Sequence, residues 1–341
     1  MRTISNNDCQ ILERLIRIKQ KAVKGTLARY LKKYYSEVIE TDDFIIAEGD
    51  IPVALTAHMD TVWEEDRINQ RELFYDKEKG MMWSPGGAGF DDKAGILAIL
   101  KIIREGYKPH IILTTDEERG GIGAYVLTEK YPKSPFKDLR YVIELDRAND
   151  VDCVFYDCMN DKFTDYVESF GFIEALGSFS DIDIICSEWG IAGVNLSIGY
   201  RNEHTTSEML KVNSMLSTIE KVKKMLKDAY NVEQFIYIPA PVDTYGKYFK
   251  SALPYNFDCY YDSYSFATCD KCHQHVSEMD IIPVKKANGK TAFYCGDCLN
   301  DDEIGWCLTC GEAYEKTLTH KQDDICLDCL KNKNGGKVIG N

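Results

Sequence analysis

Three short blocks decide the reading of this chain: Ala57-His58-Met59-Asp60-Thr61-Val62, Gly89-Phe90-Asp91-Asp92-Lys93-Ala94-Gly95 and Thr114-Thr115-Asp116-Glu117-Glu118-Arg119-Gly120. Each stands where an apolar run gives way to polar residues. Residues 51–57 and 110–115 read as buried strands, short and rich in Ile, Leu, Val and Thr. In an open α/β sheet, chemistry gathers at the carboxyl ends of the strands. A His, an Asp pair and a Glu pair are therefore expected to converge at one edge of one sheet.

The chemistry of that set is specific. Imidazole and carboxylate together suit zinc or a similar divalent ion. A bridging carboxylate holds two metals roughly 3.5–4 Å apart. In His58-x-Asp60 the second residue is a carboxylate on the same strand face, placed to accept the other imidazole N–H and fix its tautomer. Glu117 and Glu118 can divide their work, one facing a metal and the other a water. Any one block is weak alone, since a lone Glu-Glu is usually a solvated turn. The signal lies in all three, in this order, on strand ends.

These blocks resemble those of the co-catalytic di-zinc exopeptidases, the group that includes peptidase T, the glutamate carboxypeptidases and the bacterial leucyl aminopeptidases. Residues 91–95 are most similar to the peptidase T version. The resemblance covers about residues 5–230. It implies an α/β fold, a three-layer αβα sandwich around a mixed, mostly parallel sheet. It also implies the ligands. One zinc would be held by His58, Asp91 and Asp146, the other by Asp91, Glu118 and His204, with Asp91 bridging. Glu117 would be the general base toward a metal-bridging water, and Asp60 would orient His58. The implied reaction is hydrolysis of an amide bond in a small peptide, with an aminopeptidase first. A carboxypeptidase or an N-acyl amino acid amidohydrolase would use the same site.

The rest of the chain fits around these blocks. Residues 8–35 read as one amphipathic helix, and residues 73–83 as a hairpin around Lys79-Gly80. The Gly-rich loop 84–89 lacks the Gly-Lys-Ser/Thr of a phosphate-binding loop. It reads instead as a close backbone approach that delivers Asp91. Helices are expected over 92–107, 120–130 and 161–170, and strands over 140–145, 151–158 and 195–198. Asp146 ends a strand; the alternative to a ligand role is a turn cap. Arg147, Asn149 and Asp150 follow, as pocket lining or as loop formers. Gly177-Ser178-Phe179-Ser180-Asp181 resembles the Ser-Asp motif before the last catalytic strand of aminopeptidases. A closing helix is expected over 208–230. Only 57 residues separate Asp146 from His204, and fold elements already use them. The chain therefore resembles a lidless form of the group.

Composition sets limits. The 341 residues are 44% hydrophobic, enough for a large core, and carry a net charge of −14, which argues against a general nucleic-acid binder. No apolar run approaches the length of a membrane span. The first residues have no signal-peptide core. Thirteen Cys without such a signal point to thiols or metal sites in a reducing, cytoplasmic setting.

Residues 1–232 are thus expected to form the catalytic domain and 233–265 an aromatic-rich connector. Residues 266–341 are expected to form a double zinc-ribbon-like domain. That last segment holds four C-x-x-C pairs: Cys269/Cys272, Cys295/Cys298, Cys307/Cys310 and Cys326/Cys329. Such pairs make tetrahedral four-cysteine zinc sites, so two structural zinc ions join the two catalytic ones. Pairing in sequence order gives two ribbons or a LIM-like double module; interleaved pairing gives a RING-like cross-brace. His273, His275 and His320 are spare donors. From Cys259 onward there are nine Lys against thirteen Asp plus Glu, which disfavours binding to a phosphate backbone. Interaction with a protein partner or self-association is the expectation for the tail. A chain whose working part is the tail, with the hydrolase retained as a scaffold, is the reading from another class.

Overall fold

The structure is a computed structural model. It describes residues 4–63 and 71–240 and, toward the C-terminus, residues 266–272, 275–277, 281–286, 290–295, 298–299, 304–307 and 313–316. The chain divides into two compact units, Met1–Pro254 and Tyr255–Asn341.

In the first unit the elements run α1 (Asn6–Ile16), α2 (Gln20–Leu31), β1 (Val38–Glu40), β2 (Phe44–Ala47), β3 (Ile51–His58), β4 (Phe74–Asp76), β5 (Met81–Trp83) and α3 (Phe90–Arg104). They continue with β6 (Pro109–Thr114), α4 (Ile122–Lys130), β7 (Tyr141–Arg147), β8 (Asp152–Val154), α5 (Asp161–Glu168) and β9 (Ile173–Glu174). The last are α6 (Asp181–Trp189), β10 (Gly193–Ser197), β11 (Tyr200–Arg201), β12 (Met209–Lys211) and α7 (Val212–Asp228). Eight strands form one sheet in the order β1-β2-β6-β3-β7-β10-β8-β9. Its centre, β6-β3-β7-β10, is parallel, and antiparallel β2 and β8 flank it. Parallel strands covered on both faces read as continuous apolar runs, and β6 (Pro-His-Ile-Ile-Leu-Thr) is buried throughout.

Helices cover both faces. One core holds Leu12, Leu27, Leu97, Ile143 and Val222, drawn from α1, α2, α3, β7 and α7. The other packs Ala124, Leu127, Ile182 and Ile185 of α4 and α6 onto Phe44, Ile112 and Val142. Helix α3 lies between the sheet and α1, so Ile96, Leu97, Ile99, Leu100 and Ile103 are all buried although they point in different directions. Gly95 lets it approach: a Cβ there would stand 2.3 Å from the Leu145 carbonyl oxygen and 2.3 Å from the Asp92 carboxylate.

Four expected elements are corrected. Residues 8–35 form two helices, not one, because Lys19 is extended (ψ 151°) and turns the second apolar stripe, Val23, Leu27 and Leu31, back onto the same core. The strand expected over 151–158 keeps only Asp152–Val154, since Tyr156 takes a positive φ of 52° and turns the chain. The helix expected from Gly120 starts at Ile122 because Gly120 and Gly121 are both left-handed. The closing helix starts at Val212, not Glu208, because residues 209–211 pair with β5 in a second sheet, ordered β11-β12-β5-β4. Between Asp146 and His204 the chain is spent on elements of the main sheet and its flanking layer, with no inserted domain. Of the connector, residues 233–240 are described: Phe235 packs edge-on and tilted among Tyr141, Phe163 and Tyr166.

In the tail, β13 (Phe266–Thr268) pairs with β14 (His275–Ser277). A four-stranded sheet is built from β15 (Ile281–Lys285), β16 (Thr291–Cys295), β17 (Ile304–Trp306) and β18 (Ala313–Glu315), in the order β16-β15-β18-β17. No helix among the described residues is long and apolar enough to cross a membrane.

Buried His110 on β6 carries a pH prediction. Its Nδ1 accepts the Gly49 N–H at 3.1 Å and its ring stacks on Phe136. Burial holds its pKa down to about 4, against the pull of Glu48 and Asp50. The unfolded chain binds this proton near pH 6.5 and the folded chain only near 4, so stability is full above pH 6.5 and falls as the pH drops toward 4. The loss is on the order of 2 kcal/mol. Urea midpoints measured across that window should fall more steeply for the wild type than for His110→Asn; equal slopes would remove His110 as the cause.

Candidate metal centre

His58, Asp146, Glu117 and Glu118 stand at or just past the ends of parallel strands. His58 is the last residue of β3, and Asp146 is near the end of β7. Glu117 and Glu118 lie in a short helical turn three residues after β6. His204 lies between β11 and β12, just past β10, and holds a positive φ of 59°. Such strain in a non-glycine residue persists only where surroundings enforce it. Asp91 comes from the first turn of α3, after the loop 84–89, and Gly89 precedes it in the left-handed region.

The residues converge. Nε2 of His58 stands 2.8 Å from Asp91 Oδ1 and 3.5 Å from Asp146 Oδ1. Nε2 of His204 stands 3.1 Å from Asp91 Oδ2 and 3.0 Å from both Glu118 oxygens. Asp91 therefore turns one oxygen to each of two donor sets. Tetrahedral nitrogen and oxygen ligands at bond lengths of about 2.0–2.1 Å lie roughly 3.3 Å apart, close to these separations. His58, Asp91 and Glu118 also meet the distance requirement for a shared ion. The donor chemistry and the spacing both fit divalent metal.

The electrostatics agree. Burial disfavours a charged His58, yet Asp146, Asp60 and Asp91 outweigh it and raise its pKa well above the usual value. His204 is raised to about 11, burial being overcome by Asp91 and Glu118. Asp146 is pushed up to about 7 by burial and by Asp91. Burial, with Asp146, Asp181 and Glu118 close by, drives Glu117 upward too. Crowded carboxylates of this kind repel, and bound cations are what offsets the repulsion.

Supporting groups orient the donors. Asp60 Oδ1 meets His58 Nδ1 at 3.2 Å, and the Asp60 carboxylate accepts the N–H groups of Glu117 and Glu118, each at 3.1 Å. Several groups were not singled out by sequence reasoning. Tyr200 donates to Asp146 Oδ1 at 3.1 Å. Lys93, fully buried, donates to the carbonyls of Met59 and Asp60, both at 2.6 Å. An unpaired buried ammonium would cost several kcal/mol, so this lysine is a tie between α3 and the end of β3. Glu208 accepts three backbone N–H groups of the Gly-rich loop and its exit, Ala88 at 2.9 Å, Gly89 at 2.6 Å and Asp91 at 3.1 Å. The only sequence signal for Glu208 was its place four residues after His204. Ser180 bonds Glu144 and approaches Asp146, and Asp181 takes the Thr114 hydroxyl. Asn149 and Asp150 meet Arg201, so they brace a loop. A cavity of about 550 Å³ beside Phe136 and Trp189 lies at the amino ends of β7 and β10, away from this chemistry.

In the tail, Cys269, Cys272, Cys295 and Cys298 gather, and Cys307 is buried. Cys310, Cys326, Cys329, His273 and His320 lie outside the described residues; His275 falls in β14.

Fold and site together define a metal-dependent peptidase. The chain belongs to Peptidase family M20/M25/M40, whose match spans residues 54–286. Among solved structures it is similar to the aminopeptidase PepT from Bacillus cereus, with 16% identity, a TM-score of 0.50, and coverage of 65% of this chain and 98% of that one. A tripeptidase from Staphylococcus aureus gives 17%, 0.52, 66% and 98%. A TET aminopeptidase from a marine sediment archaeon of the Thaumarchaeota gives 14%, 0.52, 65% and 97%. At these identities the likeness is one of fold. No curated protein matches the chain by sequence.

Glu208→Ala leaves three N–H donors without their acceptor, at about 1–3 kcal/mol each. It is expected to lower the urea midpoint and to weaken divalent-metal binding about 10- to 100-fold in chelator competition. Glu208→Gln, which keeps one acceptor oxygen, should fall between. Wild-type metal affinity in Glu208→Ala would mean that the loop is held by other contacts.

Proposed function

We propose that this chain is an aminopeptidase acting on small peptides, and that its site takes two divalent ions, zinc being the ion the donors suit. The observation that carries this reading is Asp91, whose two oxygens face separate imidazoles at 2.8 and 3.1 Å. His58, Asp91 and Asp146 would hold one ion, and Asp91, Glu118 and His204 the other. Bound there, the ions supply Lewis acidity toward the scissile carbonyl and acidify the attacking water.

The remaining work falls to the chain's own groups. Among the described residues the Glu117 carboxylate makes no hydrogen bond to the protein, while its backbone N–H is anchored to Asp60. That leaves it open to take a proton from the attacking water and deliver it to the leaving amine, the role of a general base turned acid. Asp60 holds His58 in one orientation and, through the N–H groups of Glu117 and Glu118, sets the height of both glutamates. Tyr200 and Asn195 hold Asp146 in register.

The choice of substrate end rests on charge. Lys93 is spent on two carbonyls, Arg147 donates to the Leu176 carbonyl, and Arg201 and Lys211 both pair with Asp150. A C-terminal carboxylate would find these cations engaged and the site lined with acids.

The test is a mixed peptide library incubated with the purified protein and with Glu117→Gln, read by mass spectrometry. Shortening from the N-terminus is expected, lost on N-acetylation, and reduced about 10²- to 10⁴-fold in Glu117→Gln with metal content unchanged. Shortening from the C-terminus would make it a carboxypeptidase; release of acyl groups alone would make it an amidohydrolase. Near-wild-type turnover by Glu117→Gln would remove Glu117 as the base.

A further inference from the structure

The tail holds a second cluster with different chemistry. Cys269 and Cys272 occupy the turn between β13 and β14. Cys295 is the last residue of β16, and Cys298 follows three residues later. Ordinary backbone bonds bring the two segments together: Asp270 donates its N–H to the Phe293 carbonyl, and Phe293 returns its own N–H to the Asp270 carboxylate, both at 2.8 Å. The Cys295 N–H then points at Cys269 Sγ, 3.4 Å away. All four sulfurs lie within 4.8 Å of one another.

The spacing is that of ligands and not of disulfides. Cys272 Sγ and Cys295 Sγ are 3.8 Å apart, against about 2.05 Å for a sulfur–sulfur bond. Four thiolates at about 2.3 Å from a tetrahedral ion stand about 3.8 Å apart along each edge. The set contains sulfur only, with no imidazole, carboxylate or open position, which selects a soft, four-coordinate, structural ion. Among the described residues the apolar core around it holds Val284, Ala292, Tyr294, Ile304 and Ala313, with Cys269 and Cys295 themselves. An ion held by these thiolates would tie the two segments across that core.

We propose that Cys269, Cys272, Cys295 and Cys298 bind one zinc ion, pairing the first two C-x-x-C motifs in sequence order. The alternative cross-brace would join Cys269 and Cys272 to the third motif. The strand pattern supports tandem modules. The arrangement of a three-residue strand, C-x-x-C and a second three-residue strand recurs 38 residues on, with β17, Cys307, Cys310 and β18 in the places of β13, Cys269, Cys272 and β14. In the sequence each such hairpin is followed by a further C-x-x-C motif, Cys295/Cys298 after the first and Cys326/Cys329 after the second. The ion closes the first module between the β13–β14 turn and the end of β16. This site is independent of the peptidase centre, which has no sulfur donor.

The test uses the full-length zinc-loaded protein, alkylated with iodoacetamide and mapped by peptide mass spectrometry, with zinc counted per chain. In the wild type Cys269, Cys272, Cys295 and Cys298 should resist alkylation and become reactive together when a strong chelator is added. The Cys269→Ser/Cys272→Ser double variant should lose one zinc per chain and expose Cys295 and Cys298, with Cys307 still protected. Cobalt(II) in place of zinc should give the wild type an intense thiolate-to-metal absorption that the double variant loses in part. Unchanged zinc content in the double variant, free alkylation of the four cysteines in the wild type, or exposure of Cys307 and Cys310 along with or in place of Cys295 and Cys298 would overturn the proposal.

Discussion

The structure depends on negative charge crowded at the carboxyl edge of a parallel sheet. Asp91, Glu118 and Asp146 stand around two imidazoles, with Asp60, Glu117 and Asp181 close behind. No packing arrangement makes such a set comfortable in a low-dielectric site. The protein tolerates it because most of the groups, Glu117 apart, have fixed partners and because the set suits divalent cations. The price of assembling it is seen in the pKa directions: imidazoles raised, most of the carboxyls raised, and Asp91 pulled down between two histidines.

The donors come from two strand ends, a helix start and two connecting turns, and such ends alone are poor at holding geometry. Three ties convert them into a rigid frame. Lys93 joins α3 to the end of β3, Asp60 joins β3 to the glutamate turn after β6, and Glu208 joins the Gly-rich loop to β12. The small second sheet exists between these ties. Its strand β5 leads through the loop 84–89 to Asp91 at the start of α3, and its strand β12 follows the loop that holds His204.

The tail follows another physical rule. Its described residues gather four cysteines, whereas the first unit closes two large cores on one eight-stranded sheet. A metal ion held by such a cluster can cross-link a small unit. The chain thus combines a large unit held by burial with a small unit rich in cysteine, and the acids and imidazoles of the first are chemically distinct from the sulfurs of the second.

Much of this was legible in the amino-acid sequence. Apolar runs ending in His58, Thr114 and Leu145 announce buried strands, and polar residues at their ends announce chemistry, because periodicity and strand-end position are local properties. The spacing of the C-x-x-C pairs is likewise local. Other features were set by contacts between distant segments. The break at Lys19 depends on both helices seeking one core. The strand at 209–211 forms because β5 offers it an edge, which is why Glu208 faces the Gly-rich loop instead of opening a helix. The roles of Tyr200, Lys93 and Glu208 have no signature in their neighbours, since each acts on a backbone or carboxylate that only the folded chain brings near. The sequence by itself marked the candidate residues for the chemistry and the kind of element on which most of them sit. Tertiary structure alone decided that Asp91 would turn one oxygen to each histidine, because that orientation arises where a helix start, two strand ends and a distant loop meet.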